Sequence, residues 1–304
     1  MILACGEALI DMLPRQTDAG DSAFLPAPGG AVFNTAVALG RLGAPTSFFS
    51  GISSDFFGEI LLRSLSESGV DSSPAVISDR PSTLAFVRLT NGNAQYLFYD
   101  DNTAGRMLSE ADLPEVTQRA LFFGGISLAV EPCGSAYEAL MLREAPRAVT
   151  MIDPNIRPGF IKDEQAYRGR LKRMLKAADI VKMSEEDLHW LEGDGEISRL
   201  ASRLLGMGPN LVLITRGEHG VTGYSIDHVI DVPATKAEVV DTVGAGDTFN
   251  AGVLASLHAR GGLTKQRIAN LDEETFRAAL ELGAKAAAVT VSRAGANPPW
   301  ASEL

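Results

Sequence analysis

Apolar runs of strand length alternate with apolar positions at helical spacing along most of the chain. The runs predicted as strands are 1–12, 46–52, 121–127, 148–153, 179–183, 211–215, 221–225 and 228–232. The segments predicted as helices are 29–42, 57–68, 135–144, 165–177, 185–192, 196–207, the segment after Gly246 and 273–289. Such alternation is typical of a mostly parallel sheet with helices on both faces, so we predict a doubly wound α/β fold.

Two segments rich in Val, Phe and Tyr, 82–89 and 94–99, interrupt this alternation. The residues between them, Asn91-Gly92-Asn93, predict a hairpin turn. We expect this hairpin and the Pro- and Gly-containing segment 14–28 to form a small β-sheet lid over the site. The prediction is one domain, 1–304, with lid strands inserted at about 14–28 and 82–100. Because exposed strand edges tend to be covered, we also expect a homodimer through the lid.

Composition limits the partners and the compartment. Of 304 residues, 45 % are hydrophobic and 21 % charged, as in an ordinary globular protein. The net charge of −11 argues against nucleic acid or an anionic membrane as partner. Cys5 and Cys133 give no disulfide framework, and Glu7 and Asp11 interrupt an N-terminus too poor in basic residues for a signal peptide. With no apolar run of membrane length, we expect a cytoplasmic protein.

The segment 241–247, with sequence DTVGAGD, has the most distinctive chemistry. A tight glycine loop that leads into a helix presents free backbone N–H groups and the positive end of the helix dipole, which favours an anion such as a phosphate. Asp247 adds a carboxylate that could take the proton from a hydroxyl attacking that phosphate; the alternative is that Asp247 only caps the helix. Asp11, Asp153 and Thr215 stand at predicted strand ends, where ligands of such sheets bind.

These motifs resemble those of the PfkB, or ribokinase-like, family of sugar kinases, from Gly6 to about Asn297. The segment 241–247 matches that family's C-terminal signature, and 29–36 with Gly40 and Gly43 is similar to its N-terminal glycine-rich signature. The phosphate loop of P-loop proteins, the dinucleotide-binding glycine motif, the serine-hydrolase elbow and the zinc-protease motif are all missing from the sequence.

The resemblance implies roles for individual residues. Asp247 would be the catalytic base, and the N–H groups of Gly244, Ala245 and Gly246 would hold the γ-phosphoryl group. The sugar would bind to Asp11, Gly29, Gly30 and Asn34, besides Asp247. For Asp11 the alternative is a turn acid at a strand end, and for the glycines it is turn chemistry.

The segment 153–158, DPNIRP, resembles one found in fructokinase-like and 2-keto-3-deoxygluconate kinase-like members. It implies that Arg157 binds the transferring phosphate or a substrate oxygen; the alternative is a surface ion pair. The segment 184–187 falls where many members carry an Asn-x-x-Glu motif tied to Mg²⁺. Here Ser184 and Asp187 replace both ends, so Asp187 and Glu186 are the metal candidates, and Ser184 is equally a helix N-cap.

The resemblance also assigns a nucleotide site. ATP would contact Thr215, Gly217, Gly220, Gly244, Gly246 and Asn297. The helix 283–289 would form the adenine side, although packing explains its small residues equally well. K⁺ would bind to loop carbonyls near Asp241, Val243 and 292–295.

We therefore expect an ATP- and Mg²⁺-dependent kinase of a sugar hydroxymethyl group, with O6 of fructose as the first candidate. The alternatives are 2-keto-3-deoxygluconate kinase and another sugar or nucleoside kinase of the family. Alternatives from other classes are a non-catalytic sugar or nucleotide sensor on the same fold and a Rossmann oxidoreductase. The intact segment 241–247 argues against a non-catalytic sensor, and the missing dinucleotide motif argues against an oxidoreductase.

Overall fold

The computed structural model of the protein describes residues 1–90 and 93–304. The strands are β1 Ile2–Cys5, β2 Leu9–Gln16, β3 Ser22–Gly29, β4 Thr46–Phe49, β5 Gly51–Ser53, β6 Val76–Ser78, β7 Leu84–Thr90, β8 Asn93–Tyr99, β9 Ala120–Gly124, β10 Val149–Asp153, β11 Ile180–Ser184, β12 Leu211–Thr215, β13 Val221–Tyr224 and β14 Val229–Val232. The α-helices are α1 Ala31–Arg41, α2 Phe56–Glu67, α3 Cys133–Glu144, α4 Glu164–Ala177, α5 Glu185–Glu192, α6 Ile197–Leu205, α7 Ala245–Ala259, α8 Lys265–Ala269 and α9 Glu273–Val291.

Eight strands form the central sheet, in the order β14-β13-β12-β11-β10-β9-β1-β4. Every pair from β4 to β12 is parallel, and β13 and β14 extend the sheet as antiparallel strands. Since the parallel strands all end at one edge, the loops that follow β10, β11 and β12 lie side by side.

Helices cover both faces of this sheet. Along β1, Ile2 and Ala4 belong to one buried cluster, whereas Leu3 and Cys5 belong to the other. Buried side chains of α1, α2, α7 and α9 complete the first cluster, and those of α3 to α6 complete the second. Because successive side chains of a strand point to opposite faces, β1 contributes to the buried cluster on each side of the sheet. The predicted doubly wound fold class is confirmed.

A separate four-stranded sheet has the order β3-β2-β7-β8. Its outer pairs are antiparallel, and β2 runs parallel to β7. This sheet is the predicted lid sheet, and it starts at Leu9 rather than at residue 14. The predicted turn between β7 and β8 falls on Asn91 and Gly92, which lie outside the described residues. The division of the chain into one domain stays a prediction.

The prediction of a single strand over 1–12 is wrong. The central strand β1 ends at Cys5, and β2 begins at Leu9 in the small sheet. The Glu7 side chain turns inward between them and accepts hydrogen bonds from the N–H groups of Ala31 and Ser127. The apolar run 1–12 thus contributes one strand to the central sheet and another to the lid sheet. The predicted strand 46–52 is likewise divided, because β5 pairs with the unpredicted β6 instead of extending β4.

No helix within the described residues is long and apolar enough to cross a membrane.

Candidate active site

A cavity of about 1320 Å³ separates the lid sheet from the carboxyl edge of the central sheet. Asp153 and Lys182 line it from β10 and β11, and Asp11 lines it from β2. Residues 242–244, 246 and 247 line it from the glycine loop and the start of α7. Of the three predicted strand-end residues, Asp11 and Asp153 therefore meet in one cavity, whereas Thr215 does not line it.

Asp247 is the third residue of α7, and its side chain points away from a capping position. Gly244 is the N-cap of this helix, and no side chain caps it. The Asp247 carboxylate accepts a hydrogen bond from Nδ2 of Asn34 over 2.9 Å, so the alternative that Asp247 only caps its helix is wrong. The residue is 8 % exposed.

The surroundings of Asp247 change its proton affinity. Burial raises the pKa of this carboxyl to about 7, and the negative charges of Asp153 and Glu7 act in the same direction. The Asn34 hydrogen bond and the Lys182 ammonium lower the pKa. A carboxyl with a pKa near neutrality accepts a proton more readily than an ordinary aspartate does and is still largely ionised above pH 7.

The glycine loop approaches its neighbours too closely for side chains. Gly244 has φ of 79°, and a Cβ added there would lie 2.8 Å from Cβ of Ala296. The N–H of Ala245 donates to the Thr242 carbonyl over 3.3 Å, which closes the turn. The N–H of Ala245, which the resemblance assigned to the phosphoryl group, is thus already paired in this structure. The first N–H groups of a helix have no partner inside it, so those of Gly244 and Gly246 can bind an anion in the cavity.

Asp11 reaches the cavity from the lid strand β2. Burial raises the pKa of its carboxyl to about 6. Gly29, which pairs with Leu9 across the lid, leaves room for Asp11, since a Cβ at this glycine would lie 2.3 Å from Oδ2. Gly30 has φ of 106°, and a Cβ there would lie 2.9 Å from the Glu7 carbonyl oxygen. Gly30 is therefore required by the backbone, whereas a side chain at Gly29 would displace the Asp11 carboxylate.

Glu7 is a buried carboxyl that the sequence motifs did not single out. Its Oε1 accepts from Ala31 N over 3.0 Å, and its Oε2 accepts from Ser127 N over 3.2 Å. Burial raises the pKa of Glu7, and these hydrogen bonds lower it. The side chain ties the start of α1, which carries Asn34, to the turn that follows β9.

The segment after β10 brings Arg157 to the mouth of the cavity. Arg157 is exposed, lines the cavity and donates from Nη1 to the carbonyl of Ile156. It forms no ion pair with a carboxylate of the described residues, contrary to the surface ion pair considered as its alternative role. Asp187 fixes this segment, because its Oδ1 accepts from the N–H of Ile156 over 3.0 Å.

Asp187 and Glu186 differ in their surroundings. Asp187 is buried and Glu186 is exposed. Burial raises the pKa of Asp187, and the nearby negative charge of Asp153 raises it further. Ser184 is the N-cap of α5 and accepts from the N–H of Asp187, as its capping role predicts. Among the described residues, no group of three or more His, Cys, Asp or Glu side chains could hold a metal ion.

The predicted nucleotide residues divide into two groups. Gly244 and Gly246 line the cavity, whereas the other four, namely Thr215, Gly217, Gly220 and Asn297, do not. Thr215 ends β12, the strand beside β11, and Gly217 and Gly220 follow it with positive φ. The Asn297 side chain accepts from Nη1 of Arg41 over 2.8 Å. In α9, Gly283 packs against α7, since a Cβ there would lie 2.8 Å from the Phe249 ring, so packing accounts for this small residue.

Asp241 joins the two loops assigned to K⁺. Its Oδ1 accepts from Val243 N over 3.0 Å, and its Oδ2 accepts from Gly295 N over 2.9 Å. The carboxylate therefore holds these loops together and places a negative charge beside their carbonyl groups.

The family model for pfkB family carbohydrate kinases matches residues 1–303. The chain therefore belongs to this family, and it is a carbohydrate kinase. It is 56 % identical over 279 residues to a fructokinase of Rhizobium leguminosarum bv. trifolii, an alignment that covers 91 % of this chain and 86 % of the relative.

Solved structures show the same architecture. A fructokinase with bound ATP from Xylella fastidiosa superposes with a TM-score of 0.89 at 29 % identity, covering 97 % of this chain and 93 % of the other. A fructokinase from Vibrio cholerae O395, in a form with bound fructose, ADP and calcium ion, has a TM-score of 0.85 at 25 % identity, with 97 % and 94 % covered. The predicted ribokinase-like fold is confirmed.

Proposed function

We propose that the protein is an ATP-dependent fructokinase that transfers the γ-phosphoryl group of ATP to O6 of D-fructose. The observation that carries the sugar assignment is the 56 % identity to the Rhizobium fructokinase, which extends over 91 % of the chain. The solved fructokinase with fructose and ADP bound supports the same pair of substrates.

In this proposal Asp247 is the catalytic base. Its carboxylate takes the proton of the O6 hydroxyl as the bond between O6 and the γ-phosphorus forms. The bond from that phosphorus to the bridging oxygen breaks, and its electron pair leaves with ADP. A pKa of about 7 suits the task, because the group is ionised in much of the enzyme at neutral pH yet binds a proton well. The contact with Asn34 orients the carboxylate.

The transferring phosphoryl group would bind at the end of α7. The N–H groups of Gly244 and Gly246, with Ala245 between them, provide backbone donors and the positive end of the helix dipole. Arg157 would approach the same group or a sugar oxygen from the opposite loop, since its exposed guanidinium already lines the cavity. Positioning and charge stabilisation account for most catalysis of phosphoryl transfer.

The sugar would bind between the lid and the sheet. Asp11 would accept hydrogen bonds from sugar hydroxyls, and Gly29 and Gly30 would let the backbone approach the ring. Asn34 donates through Nδ2 to Asp247, so its Oδ1 is the atom that would accept from the sugar.

ATP would extend from the glycine loop across the ends of β11 and β12 toward Thr215, Gly217 and Gly220. Asn297 would take part through a side chain that Arg41 holds in place. Asp187 and Glu186 would be the carboxylates nearest to a bound Mg²⁺, which would neutralise negative charge during the transfer. A K⁺ ion near the carbonyls of Asp241 and Val243 would order the same loop.

The lid would also pair with a second copy of the chain. Large apolar side chains are exposed on it, namely Phe24, Leu25, Leu97 and Tyr99. Covering such a surface is favourable, and this supports a homodimer through the lid.

One observation favours 2-keto-3-deoxygluconate as a second candidate. The exposed basic side chains of Arg157 and Lys162 line the cavity, and they suit a sugar acid that carries a carboxylate. The charges of the residues that line the cavity are therefore compatible with either fructose or 2-keto-3-deoxygluconate as the phosphoryl acceptor.

The test is coupled ADP release with fructose, 2-keto-3-deoxygluconate, ribose, tagatose, adenosine and inosine. We expect the highest kcat/KM with fructose, and ³¹P NMR should place the phosphate on O6. A reaction without sugar measures background hydrolysis of ATP. Preference for 2-keto-3-deoxygluconate would select the second candidate, and turnover with neither would contradict both.

A further inference from the structure

Lys182 is a charged residue in the middle of a buried strand of the central sheet. It lies in β11 among Ile180, Val181 and Met183, all fully buried, and is itself 5 % exposed. Its Nζ donates to Oδ2 of Asp153 on the neighbouring strand β10 over 2.9 Å. An ion pair so deeply buried contributes little net stability, because both groups lose their hydration. A structural role alone is therefore a weak explanation for this lysine.

The ammonium group of Lys182 lies at the glycine loop. A Cβ added to Gly246 would be only 3.2 Å from Nζ. Lys182, Gly246 and Asp247 line the same cavity. A positive charge thus stands beside Gly246 at the start of α7 and adds to the field of the helix dipole there.

Two residues hold the ammonium in this place. Oδ2 of Asp153 accepts from Lys182 and also from Nδ2 of Asn250 over 2.7 Å. Asn250 lies one helical turn after Asp247 on α7, so the cluster connects β10, β11 and α7 beneath the loop. Oδ1 of Asp153 and Oδ1 of Asn250 are buried and accept no hydrogen bond from the described residues.

A second lysine–aspartate pair shows what a purely structural arrangement looks like in this chain. Asp179 is buried and pairs with Lys265 over 2.8 Å. Both of its oxygens accept several hydrogen bonds, from Lys265, from Thr150 and from Asn210. Neither Asp179 nor Lys265 lines the cavity. The Lys182 cluster differs in its unsatisfied oxygens and in its position at the loop.

We propose that Lys182 is a catalytic residue that binds the transferring phosphoryl group at the glycine loop, with Asp153 and Asn250 as its positioning residues. The inference rests on the proposed kinase reaction and adds a participant to it. As the bond from γ-phosphorus to the bridging oxygen breaks and the bond to the sugar oxygen forms, negative charge on the phosphoryl oxygens is met by the fixed ammonium. Lys182 keeps its protons throughout, and the proton of the hydroxyl goes to Asp247.

The decisive comparison uses Lys182→Met, Asp153→Asn and the double variant. Lys182→Met alone leaves the Asp153 carboxylate buried without its partner, so we expect a lower Tm. The double variant removes both charges, and we expect it to regain most of that Tm. Its kcat should still be lower than wild type by about 10²–10³-fold, the loss typical of removing one transition-state donor. A kcat loss with an unchanged sugar KM would mark an interaction made in the transition state.

Lys265→Met with Asp179→Asn is the matched control. It removes a lysine–aspartate pair whose aspartate is buried and whose lysine is partly exposed, and neither residue lines the cavity, so it should change Tm and leave kcat as it is. If the Lys182 and Asp153 double variant regains kcat together with Tm, the lysine only neutralises Asp153 and the proposal is wrong.

A measurement on the wild-type protein covers the case in which these variants do not fold. The ¹⁵N resonance of the Lys182 Nζ, assigned with Lys182→Arg, should shift when ADP and aluminium fluoride bind together with sugar, and much less with ADP alone. An equal response to both additions would contradict the proposal. The sugar panel on wild-type enzyme decides the fructose assignment separately, and the kcat ratios are measured with whichever sugar is phosphorylated.

Discussion

The side-chain amide of Asn34 donates to the carboxylate of Asp247 over 2.9 Å, although the two residues are 213 positions apart in the chain. Thr35, the next residue of α1, donates to the backbone carbonyl of Asp247 over 3.2 Å. One turn of α1 therefore holds both the carboxylate and the backbone of the proposed base. The two contacts can be removed separately, which makes their roles distinguishable.

Asn34→Leu should shift the acidic limb of the kcat–pH profile to higher pH. The hydrogen bond from Asn34 lowers the pKa of Asp247, so its loss raises that pKa and leaves less ionised base at pH 7. The measurement is kcat at saturating sugar from pH 5.5 to 9. Thr35→Val is the control, since it leaves the carboxylate contact in place and should not move the limb. A limb unmoved in Asn34→Leu would show that the amide does not tune the base.

Asp247→Asn should reduce kcat by about 10²–10⁴-fold, the usual contribution of a positioned general base. ATP and sugar should still bind, which titration calorimetry can check. Turnover near that of wild type would remove Asp247 as the base.

The same substitution should stabilise the protein at high pH. The folded-state pKa of Asp247 is about 7, whereas an unfolded aspartate titrates near pH ~4. Between these values the folded chain binds more protons, so this group's contribution is fully present below about pH 4 and is lost as pH rises through 7. Asp247→Asn should therefore raise Tm at pH 8 by a few °C and change it much less at pH 5 (roughly 1 kcal/mol corresponds to about 2–4 °C in domains of 150–250 residues). An equal change at both pH values would contradict the raised pKa.

Local sequence motifs predicted the proposed catalytic chemistry, but they did not predict the contacts between residues far apart in the chain. The segment 241–247 indicated an anion loop with an acid because both stand in one contiguous stretch. The contact between Asn34 and Asp247 depends on how α1 packs against α7, which no local spacing encodes. Lys182 was overlooked, although a lysine in an otherwise apolar strand was a signal for a buried charge with a partner.

Sheet membership was the weakest part of the sequence prediction. The run 1–12 is continuously apolar until Glu7, and strand propensity does not tell which of two sheets a residue joins. The break comes from tertiary contacts, since Glu7 binds the N–H groups of Ala31 and Ser127. Small residues also allow two interpretations from sequence alone. Gly283 could belong to the adenine side of the nucleotide site or to a helix contact, and in the structure it packs against Phe249.

The lid should make the protein a dimer at micromolar concentration. Phe24 is 48 % exposed and contacts the Phe86 ring edge-on, at 5.1 Å between centroids. Phe24→Glu places a charge in the proposed interface, so light scattering should show a shift from dimer to monomer mass. Ile226→Glu is the control, because Ile226 is 87 % exposed but lies between β13 and β14, away from the lid. A monomer mass for wild type would contradict the dimer.

Gly29→Ala should weaken sugar binding by displacing Asp11. The added Cβ would lie 2.3 Å from Oδ2 of Asp11, so the carboxylate must rotate away from its place in the cavity. A hydrogen bond to a charged group is worth about 1.5–3 kcal/mol, and the sugar KM should therefore rise by about 10- to 100-fold while the KM for ATP stays unchanged. Gly169→Ala in α4 is the control for an added methyl group, since only the flexible Arg173 side chain is near it, and it should leave both KM values as they are.

The effects of substitutions at Gly29 and Asp11 should not be independent. If Gly29 acts through Asp11, then Gly29→Ala should add little to the effect of Asp11→Ala, because two changes that remove one interaction are not additive. Burial raises the pKa of Asp11 to about 6, so the wild-type KM for sugar should rise as pH falls below about 6, and this rise should vanish in Asp11→Ala. Additive losses from the two substitutions would show that Gly29 contacts the sugar by itself and that its closeness to Asp11 is incidental.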